Sequence, residues 1–416
     1  MTSDVKLTSH EKQMLDGRHG YPRQWAMEQQ LKVAQFFGAE DFVEVTQAHI
    51  MCDTESLGEA GIAHVEKLAR SSEESRKVVI PAVTDPRGIE FSHYRRFGQP
   101  EEFARREQRL IDALQAMGVL MTDTCINYQT VAPPVFGEHL AFGDTGSVIY
   151  ANSVFGARSN FEGGPAALSA ALTGRVPRYG YHLDECRVAI HHFRVDFRPR
   201  TLSDWGALGA VIGREAGSYW NTPWISGIDR SPTSDELKHF GAAMASYGSV
   251  PLFHIQGVTP QALNCEKFAG ETYGTPVSIS RADIERMYAK ADRSVKVDVV
   301  VFAAPQVSLF EVQDIVRFLD GRRINPSTEL LIATSPEIKS ACDRFGLTEQ
   351  LEQSGATVLS GVCFYQMYAR ELGQLNDWRM LVSNSAKLVN IIAGYGYEPK
   401  LATMQQCVDA ALTGVL

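Results

Sequence analysis

At 416 residues the chain is long enough for two or three domains, each able to bury its own core. A formal charge of -9 and a pI near 5.7, with basic residues scattered rather than run together, exclude a nucleic-acid scaffold. No apolar run approaches the ~18 residues of a membrane helix, and the N-terminus lacks the apolar core of a signal peptide, so the reading is a cytoplasmic protein with no membrane and no nucleic-acid partner.

The chain begins with Thr8 three residues ahead of Glu11, a capping signal for a helix. Apolar residues at Ala26, Leu31, Ala34 and Phe37 continue a helical pattern from Tyr21 to Gly38. A strand from Phe42 to Val45, a helix from Leu57 to Ala69 and a strand from Lys77 to Ile80 predict a first β-α-β unit, closed by the turn residues Thr84 to Gly88. A charged amphipathic helix, Pro100 to Met117, leads to the stretch Gly118 to Gly164. There the run Val119 to Met121 reads as a short strand that delivers Cys125 at its carboxyl end, followed by a polar series on a glycine-rich backbone. That series suits a carboxylate- or hydroxyl-bearing small molecule.

Beyond it, Pro165 to Leu172 is a small-residue helix, Trp205 to Ser218 and Glu236 to Tyr247 are helices, and Leu252 to Ile255 is a strand carrying His254. His191-His192 would point to opposite faces of a strand, which makes a poor chelate. The last third alternates most cleanly: strands at Val295 to Phe302, Glu329 to Ala333 and Ala356 to Leu359 with helices at Ser308 to Leu319 and Pro336 to Phe345. This is the pattern of right-handed β-α-β units, and it sets Ala304-Pro305-Gln306 and Cys363 on one sheet edge. Leu381 to Lys387 has the form of another strand entering a polar loop, and Leu401 to Leu412 a closing helix. Seven cysteines with no CxxC pair are no disulfide framework.

Several stretches resemble the aconitase X family in its catalytic large-subunit form. They are the Ala48-His49 loop with Leu57 to Gly61, Thr124-Cys125 with Tyr128, Gly137-Glu138-His139, Tyr150 to Asn160, Ala171 to Arg175, Val250 to Thr259, Cys363, and Ser383 to Lys387. The resemblance implies an aconitase-like α/β fold: several parallel-sheet domains around a central cleft, divided here as 1–130, 131–290 and 291–416, without the family's swivel domain. It implies a hydro-lyase acting on a small hydroxylated carboxylic or imino acid. Cis-3-hydroxy-L-proline leads, mevalonate 5-phosphate is second, and a cluster-free isomerase or ligand-binding member is a third reading. It also implies an iron or iron-sulfur centre, 2Fe-2S among the types, and a heterodimer in which a small swivel-domain subunit supplies a serine.

Carried onto this chain, the resemblance makes Cys125, Cys363 and Cys52 the metal ligands. Arg158 is the carboxylate clamp and Lys387 a second cation, with Asn152, Asn160 and Ser383 orienting the substrate. His49, Glu138 and Ser153 are the catalytic candidates, the main base coming from the partner. Each has a plainer alternative: buried thiols as core filler, Arg158 pairing with Glu162, Lys387 as a helix-surface residue. Cys186, Cys265, Cys342 and Cys407 read as inert. One departure stands out. Where the family often carries Gly-Cys-Pro-His, this chain has Ala303-Ala304-Pro305-Gln306, which removes a thiol and an imidazole.

Overall fold

A computed structural model describes residues 5–263, 266–269, 275–290, 292 and 294–416, so Cys265 lies outside the described residues. Three parallel sheets carry the architecture. A short antiparallel pair, β1 (Phe42–Glu44) with β5 (Arg175–Pro177), borders the first of them. In that first sheet β2 (Ala48–Ile50) lies between β3 (Ala82–Thr84) and β4 (Ala141–Phe142), so it draws on residues from both sides of position 130. The second has the order β8-β7-β6-β9, from β6 (His191–Val195), β7 (Pro223–Ser226), β8 (His254–Ile255) and β9 (Val277–Ile279).

The third sheet is the alternation legible in the last third of the sequence. Its order is β12-β11-β10-β13-β14, built from β10 (Val299–Val307), β11 (Glu329–Thr334), β12 (Thr357–Ser360), β13 (Met380–Ser383) and β14 (Glu398–Leu401). Every residue of β10 is buried, as a central parallel strand with both faces covered requires. The register of β10 against β11 shifts between Phe302 and Val307, and this irregular end carries Gln306.

Helices begin where cap chemistry predicts. Thr8 and Glu11 close a capping box, and Thr233, Ser308 and Thr403 do the same at later helices. The helices Leu202–Ala216 and Ser234–Gly248 pack backbone to backbone. A Cβ on Gly209 would lie 2.1 Å from Phe240 O, so only glycine permits the approach.

Two expected strands do not form. Val119 to Met121 contributes a single bridge, Leu120 to Val83, and Leu120 is 59% exposed. Val78 and Val79 donate to Met117 O and Ala171 O one at a time, and ladder pairing starts only past Pro81, at β3.

Candidate active site

Because the strands are parallel, the carboxyl ends of the first and third sheets each collect on one edge, and the two edges meet. Beyond β3, Arg87 N–H donates to Gly361 O at 2.9 Å, and Arg87 bridges Val362 just past β12. Gly361 sits at φ +70°, and a Cβ there would meet the Arg87 guanidinium at 2.6 Å. Thr124 N–H donates to Thr84 O at 3.0 Å, which ties the Cys125 loop to the same edge.

Cys125 and Cys363 belong to different apolar clusters, yet their thiols are hydrogen-bonding neighbours across the boundary, 3% and 1% exposed. Burial first, then Cys363, pushes the Cys125 thiol well above its ordinary pKa. Gln306 fills the corner beside them. Its Nε2 donates to Asp123 O (3.2 Å), Thr334 O (3.2 Å) and Val362 O (3.1 Å), its Oε1 accepts from Cys125 N, and its own N–H points at Cys125 Sγ, both at 3.3 Å.

The charges are arranged by the same strand ends. Asp144 follows β4 and caps the helix Thr145–Tyr150, accepting from Ser147 N at 2.9 Å. Lys387, at the start of the helix Ala386–Ile392 after β13, reaches Asp144 Oδ1 at 3.1 Å, with both side chains buried. Burial works against the Lys387 ammonium, but Asp144, then Cys125 and Cys363, outweigh it and hold its pKa above the ordinary value. Burial likewise works to raise Asp144, and Lys387, His49 and the Ser147 N–H overcome it, leaving the carboxylate lowered and charged.

Asp85, past β3, behaves in the opposite way. Burial and the Asp144 charge push its carboxyl well above the usual range, so it keeps its proton. Gln366 Nε2 donates to Asp85 Oδ2 at 2.8 Å, and His49 Nε2 stands 3.6 Å from Asp85 Oδ1 and 2.8 Å from Thr124 O. Burial lowers the His49 pKa, so the imidazole is neutral. Tyr365 lies over the group, its ring centroid 5.9 Å from Lys387 Nζ. Among the described residues, the buried polar atoms here without a hydrogen bond in the chain include Asp85 Oδ1, His49 Nδ1, Gln366 Oε1, Asn384 Nδ2 and Tyr128 Oη. Buried polar atoms left open at a strand-end site are the mark of a place built for a polar molecule.

Of the residues singled out from sequence, Cys125, Cys363, Lys387 and His49 come together, and Ser383 lies alongside, its hydroxyl accepting from Ser385 N at 3.1 Å. Others are engaged elsewhere. Arg158 donates to His182 O at 2.9 Å and pairs with Asp184, not with Glu162. Asn152 brackets the Ser159 backbone and Pro251 O, Ser153 Oγ accepts from Phe253 N, and Asn160 ties Tyr179 and Tyr181. These side chains hold the 150–160 loop in shape. Glu138 accepts from Gln47, Val135 N and Thr46, stapling its own loop. Cys52 packs with Ile50, Val65 and Leu68, its thiol pushed well up by burial, then by Glu107 and Asp123. Cys342 and Cys407 are in the core of the third sheet. Sequence reading singled out Gln306 only as a departure and missed Asp85, Asp144 and Gln366. The local signals of the two aspartates are a turn (Thr84 to Gly88) and a helix cap (Asp144-Thr145-Gly146).

Two buried carboxyl groups, one pushed up and one held down, lie beside an ammonium at the meeting edges of parallel sheets, an arrangement suited to acid-base chemistry in an α/β enzyme. The chain matches the Aconitase X first domain over residues 4–185, the second domain over 189–289 and the third domain over 297–413. It is 36% identical to the phosphomevalonate dehydratase large subunit of Methanothermobacter thermautotrophicus, over 94% of each chain. It is 29% identical to the cis-3-hydroxy-L-proline dehydratase of Hypocrea jecorina, over 99% of this chain and 69% of that one. The crystal structure of Thermococcus kodakaraensis aconitase X in its holo-form superposes with a TM-score of 0.86, at 28% identity, over 98% of this chain and 100% of that one.

The chain belongs to the aconitase X family, with its aconitase-like fold, and is a carbon-oxygen lyase of the hydro-lyase type. Relatives of matching length carry the name large subunit. No helix among the described residues is long and apolar enough to cross a membrane.

An iron-sulfur cluster asks for about three or four thiolates. Two thiols meet here, the third corner is a glutamine amide, and Cys52 lies in another core. Among the described residues no group of three or more His, Cys, Asp or Glu is disposed to hold a metal ion. The donor set does not fit the cluster that the resemblance implied.

Proposed function

We propose that this chain, with a small subunit, removes water from a small hydroxylated acid, and that cis-3-hydroxy-L-proline is the first substrate to test. The single observation that carries the reading is Asp85: a protonated carboxyl whose Oδ1 lacks a hydrogen bond, near an ammonium fixed by Asp144. Lys387 has donors left after Asp144, and with Asn384 Nδ2 it receives the substrate carboxylate. Asp85 then gives its proton to the departing hydroxyl as the carbon-oxygen bond breaks, so that water leaves. The carbon-bound proton goes to a base. We assign that base to the small subunit, a serine there, with neutral His49 as the alternative within this chain.

The choice of an imino acid is supported by charge. With Asp85 protonated, Asp144 is matched by Lys387 and Asp123 by Arg87 at 3.3 Å, so both cations are already engaged. A phosphate dianion would find no unpaired cation among these residues, whereas a substrate that brings its own ammonium needs none. Mevalonate 5-phosphate stays as the second reading because relatives at 36% and 31% identity are named for phosphomevalonate. Water loss from both compounds, measured on the chain co-produced with its small subunit, tests the proposal. Turnover of the imino acid that disappears with Asp85→Asn supports it; no turnover of any hydroxy acid by the assembled complex overturns it.

A further inference from the structure

Where the resemblance leads one to expect a cysteine and a histidine, this chain carries Ala304 and Gln306, and the structure shows what that exchange does. Gln306 is fully buried. Its side-chain amide gathers three carbonyl groups, from Asp123 in the loop after the Leu120 bridge, from Thr334 at the last position of β11, and from Val362 just past β12. Its backbone N–H is directed at Cys125 Sγ and its Oε1 at Cys125 N, so this sulfur is held by an amide. Ala304, at the other altered position, offers only a methyl group, and its carbonyl accepts from Ser385 Oγ at 2.5 Å. Gln306 is itself pinned: its carbonyl accepts from Lys238 Nζ at 3.2 Å, and Lys238, buried, pairs with Glu311 and, at 3.1 Å, with Asp235.

We infer that Gln306 takes the place of the iron centre's missing ligand in this chain, its amide filling the third corner, so that Cys125 and Cys363 remain a metal-free pair of thiols. Gln306 is a positioning residue in this account: it acts by holding Cys125 and three strand ends. The claim concerns iron, and stands or falls independently of which acid is the substrate.

The test uses the complex of the chain with its small subunit, purified anaerobically and incubated with ferrous iron and sulfide. Iron and acid-labile sulfide per complex are then counted and the visible spectrum recorded. The expected result is substoichiometric iron, no cluster absorbance, and the same turnover before and after chelator treatment. Stoichiometric iron that Cys125→Ser or Cys363→Ser removes would overturn the inference, whether or not the complex is active. A second arm restores the expected pattern with Ala304→Cys/Gln306→His, its folding checked by circular dichroism. A folded double variant that gains iron and colour supports the assignment. A folded one that gains neither shows that these positions do not decide iron binding, and the assignment fails.

Discussion

The backbone N–H of Gln306 points at the sulfur of Cys125 from 3.3 Å, and the Cys125 N–H donates back to Gln306 Oε1 at the same distance. This reciprocal pair joins the end of β10 to the loop that follows the Leu120 bridge and fixes where the first thiol stands. Gln306→Ala would strand a buried N–H and three carbonyls, which costs about 3 kcal/mol. Urea unfolding of the purified chain should show a lower midpoint, with Gln306→Glu falling further because it buries a charge. An unchanged midpoint for both would mean the amide is not holding the strand ends.

The Asp85 carboxyl is held protonated in the fold while the unfolded chain has released its proton near the ordinary carboxylate pKa of ~3.9. The folded state therefore binds more protons in this range, and stability falls as pH rises from there toward the raised value of Asp85. Glu107, pushed by burial to about 7, adds to the same slope. Asp85→Asn and Glu107→Gln should each flatten the loss of thermal midpoint between about pH 5 and about pH 8, and both should melt higher than the parent at the upper end. Variants whose thermal midpoints follow the same pH profile as the parent contradict the assignment.

Lys387→Met leaves Asp144 buried and unpaired, an imbalance that costs about 3–5 kcal/mol. Asp144→Asn/Lys387→Met removes both charges and should recover much of that loss without recovering turnover. Chemical denaturation and steady-state assays on the parent and the two variants separate the two effects. Equal stability of the single and double variants would show that the pair is not coupled.

Asn384 offers an unpaired Nδ2 next to the Ser383–Lys387 turn. If it receives the substrate's carboxylate, Asn384→Asp should raise KM by about tenfold, through repulsion of ~1.4 kcal/mol, with a smaller effect on kcat. A KM that does not move removes Asn384 from the binding site.

Gly209 faces the backbone of Phe240, and a Cβ there would lie 2.1 Å from its carbonyl oxygen. Gly209→Ala should force the helices Leu202–Ala216 and Ser234–Gly248 apart and cost about 1–3 kcal/mol or more. A melting curve unchanged from the parent would show that the helices can separate freely.

Much of the fold was legible because β10, β11 and β12 are apolar runs set between helices of ordinary length, and parallel topology then dictates which loops share an edge. Cys363 and Lys387 could be picked out because one stands just beyond a strand and the other at a helix start, whereas Cys125 follows a lone bridge and was picked out by the resemblance. Asp85 and Asp144 could not, since a turn aspartate and a capping aspartate have sufficient local reasons to exist, and their burial together depends on two sheets far apart in sequence meeting. Arg158 misled for the converse reason. Its glycine-rich neighbourhood looks like a ligand loop, but Asp184 and the His182 carbonyl claim the guanidinium. Cys52 differs from Cys125 only in which core its loop faces.

The most direct test of the acid-base account is the rate of water loss by the assembled complex as a function of pH, for the parent and for Asp85→Asn. The account predicts a parent kcat that declines as pH rises through the Asp85 value, and a fall of about 10²- to 10⁴-fold for Asp85→Asn with the decline abolished. A variant that turns over at the parent rate with the parent pH profile would contradict it.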